Sequence, residues 1–267
     1  MRVTYRHHDS QVYWASRWAK TEADAPMENR DVYPLKYALE AISRSAAVTK
    51  EGVICEAGCG NGRLVRYFMR QGYAIKGFDF IPEAIDKIKE IEPEADVEIG
   101  DILKLSYPDT SFDAFLAFGL YHSLPWDLQD QAFRETWRVM KPGAILCASF
   151  RADNICNRML DFLREREEGK GEAMKDKFHK LNLTRGEYTK LLSDHGFNVE
   201  KLDYVVNMPL LYKFACFRHA SHKVFEEHKG RCEGYLLNAA GRVLWKNFMR
   251  LFPAQACNVF VAMARKA

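Results

Sequence analysis

The sequence lacks any run approaching the roughly 18 apolar residues of a membrane span, so no transmembrane helix is expected. It lacks a Cys-x-x-Cys pair, and its 7 cysteines are an odd number. That fits reduced thiols in a cytoplasm rather than a disulfide framework. An apolar signal core is also missing from the polar and aromatic Met1–Ser10 stretch, so secretion is not expected. No repeat, low-complexity tract or Gly/Ser/Pro-rich linker divides the chain. Charge of one sign is scarce too: 39 Lys+Arg against 36 Asp+Glu leave +3. So small an excess excludes a protein that tracks nucleic-acid phosphates over its whole surface. What remains is an ordinary globular composition, 48% hydrophobic and 28% charged over 267 residues. That is enough for a sizeable core in one large domain or two small ones.

Between Gly52 and Phe150, short apolar runs alternate with stretches of helical period. Val53–Ala57, Tyr73–Phe80, Ala95–Ile99, Phe112–Phe118 and Ala144–Phe150 are predicted strands. Helices are predicted over Asn61–Arg70, from Pro82 onward, and over Leu128–Met140, the last ended by Lys141-Pro142-Gly143. This alternation means a parallel sheet with helices on both faces. Two helices are expected before Gly52, around Gln11–Lys20 and Leu35–Val48, as a helical lead-in over residues 1–50. Beyond the core (51–150), residues 151–183 are charged and helical in composition. Thr184-Arg185-Gly186-Glu187 is a capping box opening a helix closed by Gly196. Phe197–Val206 follows as a strand, 207–254 as an aromatic helical insertion and 257–264 as a last strand, all in one domain.

Glu56-Ala57-Gly58-Cys59-Gly60-Asn61-Gly62 lies between a strand and a helix. Glycines there let backbone pass close to a ligand, and the helix N-terminus offers free N–H groups to an anion. Asp79 ends the second strand, where a carboxylate can accept both hydroxyls of a ribose; it can equally cap the helix that opens at Pro82. Gly100-Asp101-Ile102 follows the third strand, where an acidic side chain and a flat apolar neighbour suit an adenine ring. All three segments fall at the carboxyl ends of successive strands, the ligand-binding edge of such sheets.

With these residues the chain resembles the class I S-adenosylmethionine-dependent methyltransferases, in particular their small-molecule group. Glu56 to Gly62 matches that family's E/D-x-G-x-G-x-G signature. Gly77 to Ile85 is similar to its ribose-binding strand end, Gly100-Asp101-Ile102 to its adenine turn, and Phe118-Gly119-Leu120-Tyr121-His122 to its active-site loop. Arg138-Val139-Met140-Lys141-Pro142-Gly143-Ala144 resembles its Arg-Val-Leu-Lys-Pro-Gly-Gly, with Ala144 as a departure. The resemblance implies an α/β, Rossmann-like doubly wound sheet of seven mostly parallel strands with an antiparallel last strand. It implies S-adenosylmethionine as cofactor and S-adenosylhomocysteine as product. The residues it places at the cofactor are Glu56, Gly58, Cys59, Gly60, Asp79, Phe80, Asp101, Ile102 and Phe118. A nicotinamide dehydrogenase uses a similar edge, but its G-x-G-x-x-G would need a glycine where Arg63 stands.

The resemblance also turns Tyr121 and His122 toward the acceptor, with His122 either a base or a pocket wall. Trp14 and Trp18, one helical turn apart, are similar to the lead-in of thiopurine-type methyltransferases, where tryptophans cover the cofactor; they can equally pack on the sheet. Cys216, His219, His222 and His228 have a spacing that metal ligands use, but a solvated basic helix explains it, and no metal is expected. Aromatics in 207–254 suit a small hydrophobic or aromatic acceptor, or the insertion's own core. That segment carries eight Lys+Arg and three Asp+Glu, which adds an anionic acceptor or peripheral contact with an anionic membrane. No Asn/Asp-Pro-Pro-aromatic motif follows the fourth strand, so nucleic-acid bases are not the expected acceptor. A non-catalytic interaction module is the reading of a different class, and the intact glycine turn counts against it.

Overall fold

Apolar residues at Val53, Ile54, Cys55 and Ala57 make a strand that both faces of a sheet can cover, and the chain builds outward from it. The computed structural model describes residues 1–7, 9–21, 33–45, 52–167, 176–220 and 235–267. The first half contains β1 (Arg2–Arg6), α1 (Ser10–Lys20), α2 (Tyr33–Arg44), β2 (Val53–Ala57), α3 (Arg63–Arg70), β3 (Ala74–Asp79) and α4 (Pro82–Ile91). Then come β4 (Val97–Ile99), β5 (Phe112–Ala117), α5 (Gln129–Val139), β6 (Met140–Arg151) and α6 (Ile155–Glu167). The chain ends with β7 (Lys177–Asn182), α7 (Arg185–Asp194), β8 (Phe197–Val205), α8 (Ala239–Leu251), α9 (Pro253–Ala256) and β9 (Val259–Lys266).

Seven strands form one sheet in the order β4-β3-β2-β5-β6-β9-β8. The pairs from β4 to β6 are parallel, and β9 runs antiparallel to both β6 and β8. This is the doubly wound arrangement expected. Leu35, Ala38, Val65, Phe68, Ile85 and Ile88 from α2, α3 and α4 cover one face. Ala132, Phe133, Tyr188, Leu191 and Leu192 from α5 and α7 cover the other. Thr184 caps α7 with the reciprocal Glu187 contacts that the sequence predicted. Arg138 holds the loop before β5 by hydrogen bonds to the carbonyls of Leu105 (3.1 Å) and Tyr107 (2.9 Å) and to Asp109 (2.7 Å).

Three expectations change. Lys141-Pro142-Gly143 lies inside β6, which begins at Met140, because Met140 already pairs with Phe112. The supposedly helical 1–50 and 151–183 segments each yield a strand: β1 and β7 form a separate antiparallel ribbon. Within 207–254 the described α-helices are α8 and α9; residues 210–217 make short turns instead. There Tyr212, Leu237, Trp245 and Ala256 pack with Cys156 as a satellite core. Residues 46–48 of the second lead-in helix lie outside the described residues.

Candidate functional site

A cavity of about 990 Å³ opens along the carboxyl ends of β2, β3, β4 and β5. At its base the chain turns from β2 into α3 with Gly58 at φ +67° and Gly60 at φ +52°, where side-chained residues are strained. A Cβ on Gly60 would stand 2.6 Å from the ring of Trp18, so this turn needs glycine for space as well. The Asp79 carboxylate knits the turn to β3: Oδ2 accepts from the Gly60 N–H (2.8 Å) and Oδ1 from the Ile81 N–H (3.0 Å). A carboxylate has about four lone-pair sites, so each oxygen keeps capacity for a ligand hydroxyl. Burial raises the Asp79 pKa against these N–H bonds. Glu56 accepts from the Val65 N–H (3.1 Å) in α3, and burial, with the Asp79 charge adding, pushes it up to about 8.

Asp101 Oδ1 accepts from the Leu103 N–H (2.9 Å), and buried Ile102 lines the cavity beside it. Phe80 is 52% exposed on the same wall, and Phe118 meets Tyr33 edge-on at 5.9 Å. Over the mouth lies α1, capped by Asp9, whose side chain accepts from the Val12 N–H. Trp14 and Trp18 stack at 5.7 Å, and the Lys87 ammonium of α4 takes the carbonyls of Trp18 (2.7 Å), Ala19 (2.7 Å) and Thr21 (3.1 Å).

Residues 55–148 match the model of a methyltransferase domain. Over those residues the chain resembles the class I S-adenosylmethionine-dependent methyltransferases. A protein of Mycolicibacterium smegmatis named "probable S-adenosylmethionine-dependent methyltransferase" is 29% identical over 147 residues, 55% of this chain and 52% of that one. A demethylmenaquinone methyltransferase of Deinococcus radiodurans is 38% identical over 77 residues, 27% of this chain and 31% of its own. The chain thus spans about half the length, or less, of these curated relatives. A solved S-adenosylmethionine-dependent methyltransferase from Archaeoglobus fulgidus shares the fold at TM-score 0.58 and 16% identity, covering 97% of this chain and 100% of its own.

Within this methyltransferase fold, Glu56, Gly58, Cys59, Asp79, Phe80, Asp101, Ile102, Phe118, Trp14, Trp18 and His122 all line one cavity. Gly60 lies beneath Trp18. Tyr121 corrects the expectation that it faces the acceptor with His122. It is fully buried, stacked on Phe133 at 4.2 Å, and its hydroxyl meets Thr136 Oγ1 at 2.7 Å. A tight turn of about three residues per turn sets successive side chains some 120° apart, so the two neighbours diverge. His122 lines the cavity at 7% exposure, and its Nδ1 has no hydrogen-bond partner among the described residues. Burial, then Lys180, Arg151 and His179, hold it well below the usual histidine range, so it is neutral near pH 7.

Sequence reasoning missed the far wall of the cavity, where Arg151, Arg164, Lys177, Phe178 and Lys180 line it from β6, α6 and β7. Arg2–Arg6 alternates, with Val3 and Tyr5 between charged and polar neighbours, but Lys177–Asn182, its partner across the chain, has apolar residues only at Phe178 and Leu181 and gives no such signal. From the insertion, Asn207, Met208, Lys213 and Tyr235 reach the cavity. Cys216 is exposed on that insertion; His222 and His228 lie outside the described residues. Among the described residues no three His, Cys, Asp or Glu side chains converge to hold a metal.

Proposed function

We propose that this chain transfers a methyl group from S-adenosylmethionine to an O, N, S or C nucleophile of a small, hydrophobic or aromatic acceptor. The observation that carries the reading is the continuity of one cavity from the Asp79–Gly60 turn to His122. The left-handed glycine turn and the spare acceptor capacity of Asp79 fit a ribose and an adenosyl group. When bound, S-adenosylmethionine supplies a sulfonium-activated methyl. The protein's own part is then alignment, which can lower a barrier by up to about 7–11 kcal/mol in favourable cases.

In this reading Asp79 accepts the ribose hydroxyls, Asp101 and Ile102 flank the adenine, and Glu56, Gly58, Cys59, Gly60, Phe80 and Phe118 shape the cofactor end. Trp14 and Trp18 roof it. His122, neutral near pH 7, accepts the proton that an O–H, N–H or S–H nucleophile gives up. Apolar lining from Leu124, Leu128, Leu160, Phe178 and Met208 supports a hydrophobic acceptor. S-adenosylmethionine and S-adenosylhomocysteine are expected to raise the melting temperature, and NAD to leave it unchanged. Stabilisation by NAD alone overturns the reading, and no shift with any of the three favours a non-catalytic module. His122→Ala is expected to keep the shift and to change the pH dependence of transfer; an unchanged pH–rate profile removes it as the base.

A peripheral membrane contact is a second reading for the insertion. Val243, Leu244, Leu251 and Phe252 are exposed on or beside α8, and Arg242, Lys246 and Arg250 accompany them on the same helix. Each cation near an anionic surface contributes about 1 kcal/mol. Co-sedimentation with phosphatidylglycerol vesicles is therefore expected to exceed that with phosphatidylcholine at least about tenfold, and Leu251→Asp to weaken it. Equal binding to both, or none, sinks this contact.

A further inference from the structure

The cavity is polarised. Its cofactor end presents the carboxyls of Glu56, Asp79 and Asp101 with Arg63, whereas away from it Arg17, Arg151, Arg164, Lys177 and Lys180 outnumber Asp9. At that far end, carboxylates are outnumbered among the described residues. Asp161 takes hydrogen bonds from Arg2 (2.8 Å), Arg151 (2.9 Å) and Arg164. Asp153 is shared by Arg2 (3.1 Å) and Arg158 (2.9 Å). Two carboxylates thus serve four guanidiniums, and Lys180 joins them with no ion pair or side-chain hydrogen bond among the described residues.

A structural reading accounts for the arginines, since Arg2, Arg151 and Arg164 fasten β1, β6 and α6 together through Asp161. It does not account for Lys180. Burial and the charges of Arg151, Arg164 and Arg17 push its ammonium down to about 7, the opposite of what a structural ion pair does. A partly buried ammonium held among cations destabilises the empty protein, and a bound anion would relieve that cost. His122, with its buried and unpartnered Nδ1, lines the same cavity.

We propose that the methyl acceptor carries a carboxylate or phosphate group, seated against Lys180 and Arg151 at the end of the cavity away from Asp79. The word acceptor rests on the methyltransferase reading above; the anion site itself does not. The anchoring charge would fix the acceptor's orientation and leave its nucleophilic atom toward His122.

The test titrates the full chain calorimetrically with 4-hydroxybenzoate, phenyl phosphate and the uncharged 4-hydroxybenzamide, with and without S-adenosylhomocysteine. At least one anion is expected to bind at least tenfold more tightly than the amide, and the tighter of the two tells carboxylate from phosphate. Lys180→Met is expected to weaken that anion at least tenfold while leaving S-adenosylhomocysteine and the amide within twofold; Lys180→Arg restores the anion. Equal affinity for amide and anions in the wild type overturns the proposal, as does unchanged anion affinity in Lys180→Met or no anion binding at all. If Lys180→Met fails to bind S-adenosylhomocysteine, the wild-type comparison of anion with amide decides. Anion binding without S-adenosylhomocysteine binding would retain the anion site and remove the methyltransferase reading instead.

Discussion

Asp79→Ala is expected to weaken S-adenosylhomocysteine binding by at least about 100-fold. Each hydrogen bond to a charged group contributes about 1.5–3 kcal/mol, and two from a ribose diol amount to roughly 3–6 kcal/mol. At about 1.4 kcal/mol per factor of ten, that is some 10²- to 10⁴-fold. The substitution acts twice, because Asp79 also receives the N–H groups of Gly60 and Ile81, and without it the turn loses its anchor to β3. Asp79→Asn keeps one acceptor oxygen and should fall between the two. Calorimetric titration reads the change, and a loss under tenfold in Asp79→Ala would remove it as the ribose ligand.

The second large effect is on stability and concerns Glu56. Its pKa is pushed up to about 8 from an ordinary 4.5, chiefly by burial. Between those values the folded protein keeps a proton that the unfolded chain has released, so stability is complete below pH 4.5 and is lost progressively up to about 8. The loss is on the order of 5 kcal/mol. Lys180 opposes it: with a pKa held at about 7, it gives back stability as pH rises from there toward 10.5. The wild-type curve therefore mixes two opposite slopes, and a difference measurement separates them. Glu56→Gln still accepts from the Val65 N–H. It should match the wild type near pH 5 and exceed it near pH 9 by on the order of 10 °C in melting temperature. A gap that stays constant between those pH values would show that Glu56 does not titrate in this window.

How far the sequence reveals the molecule depends on where each strand's information lies. β2 and β5 are covered on both faces, so their apolar runs identify them, and the glycine turn follows β2 directly in sequence. The β1–β7 ribbon is different. Val3 pairs with Leu181, and neither Arg2–Arg6 nor Lys177–Asn182 carries an apolar run long enough to mark a strand alone. That pairing brings Lys177 and Lys180 to the wall that Arg151 of β6 and Arg164 of α6 share, and the wall stayed invisible while the positive charge of 207–254 drew notice. Of that insertion's basic residues, Lys213 is the described one that reaches the cavity. Tyr121 failed for a local reason: a resemblance fixes which loop is present but not which side of its turn a residue takes.

No residue of α1 is buried, although the helix lies over the cavity. It is fastened by its flanks, the β1–β7 ribbon on one side and the three carbonyls held by Lys87 on the other. Lifting its carboxyl end would therefore break surface hydrogen bonds without disturbing either core cluster. The helix is hung like a shutter: uncovering the glycine turn beneath Trp18 costs the Lys87 latch and the bond from Asn61 Nδ2 to the Thr21 carbonyl (3.4 Å), with the sheet left intact.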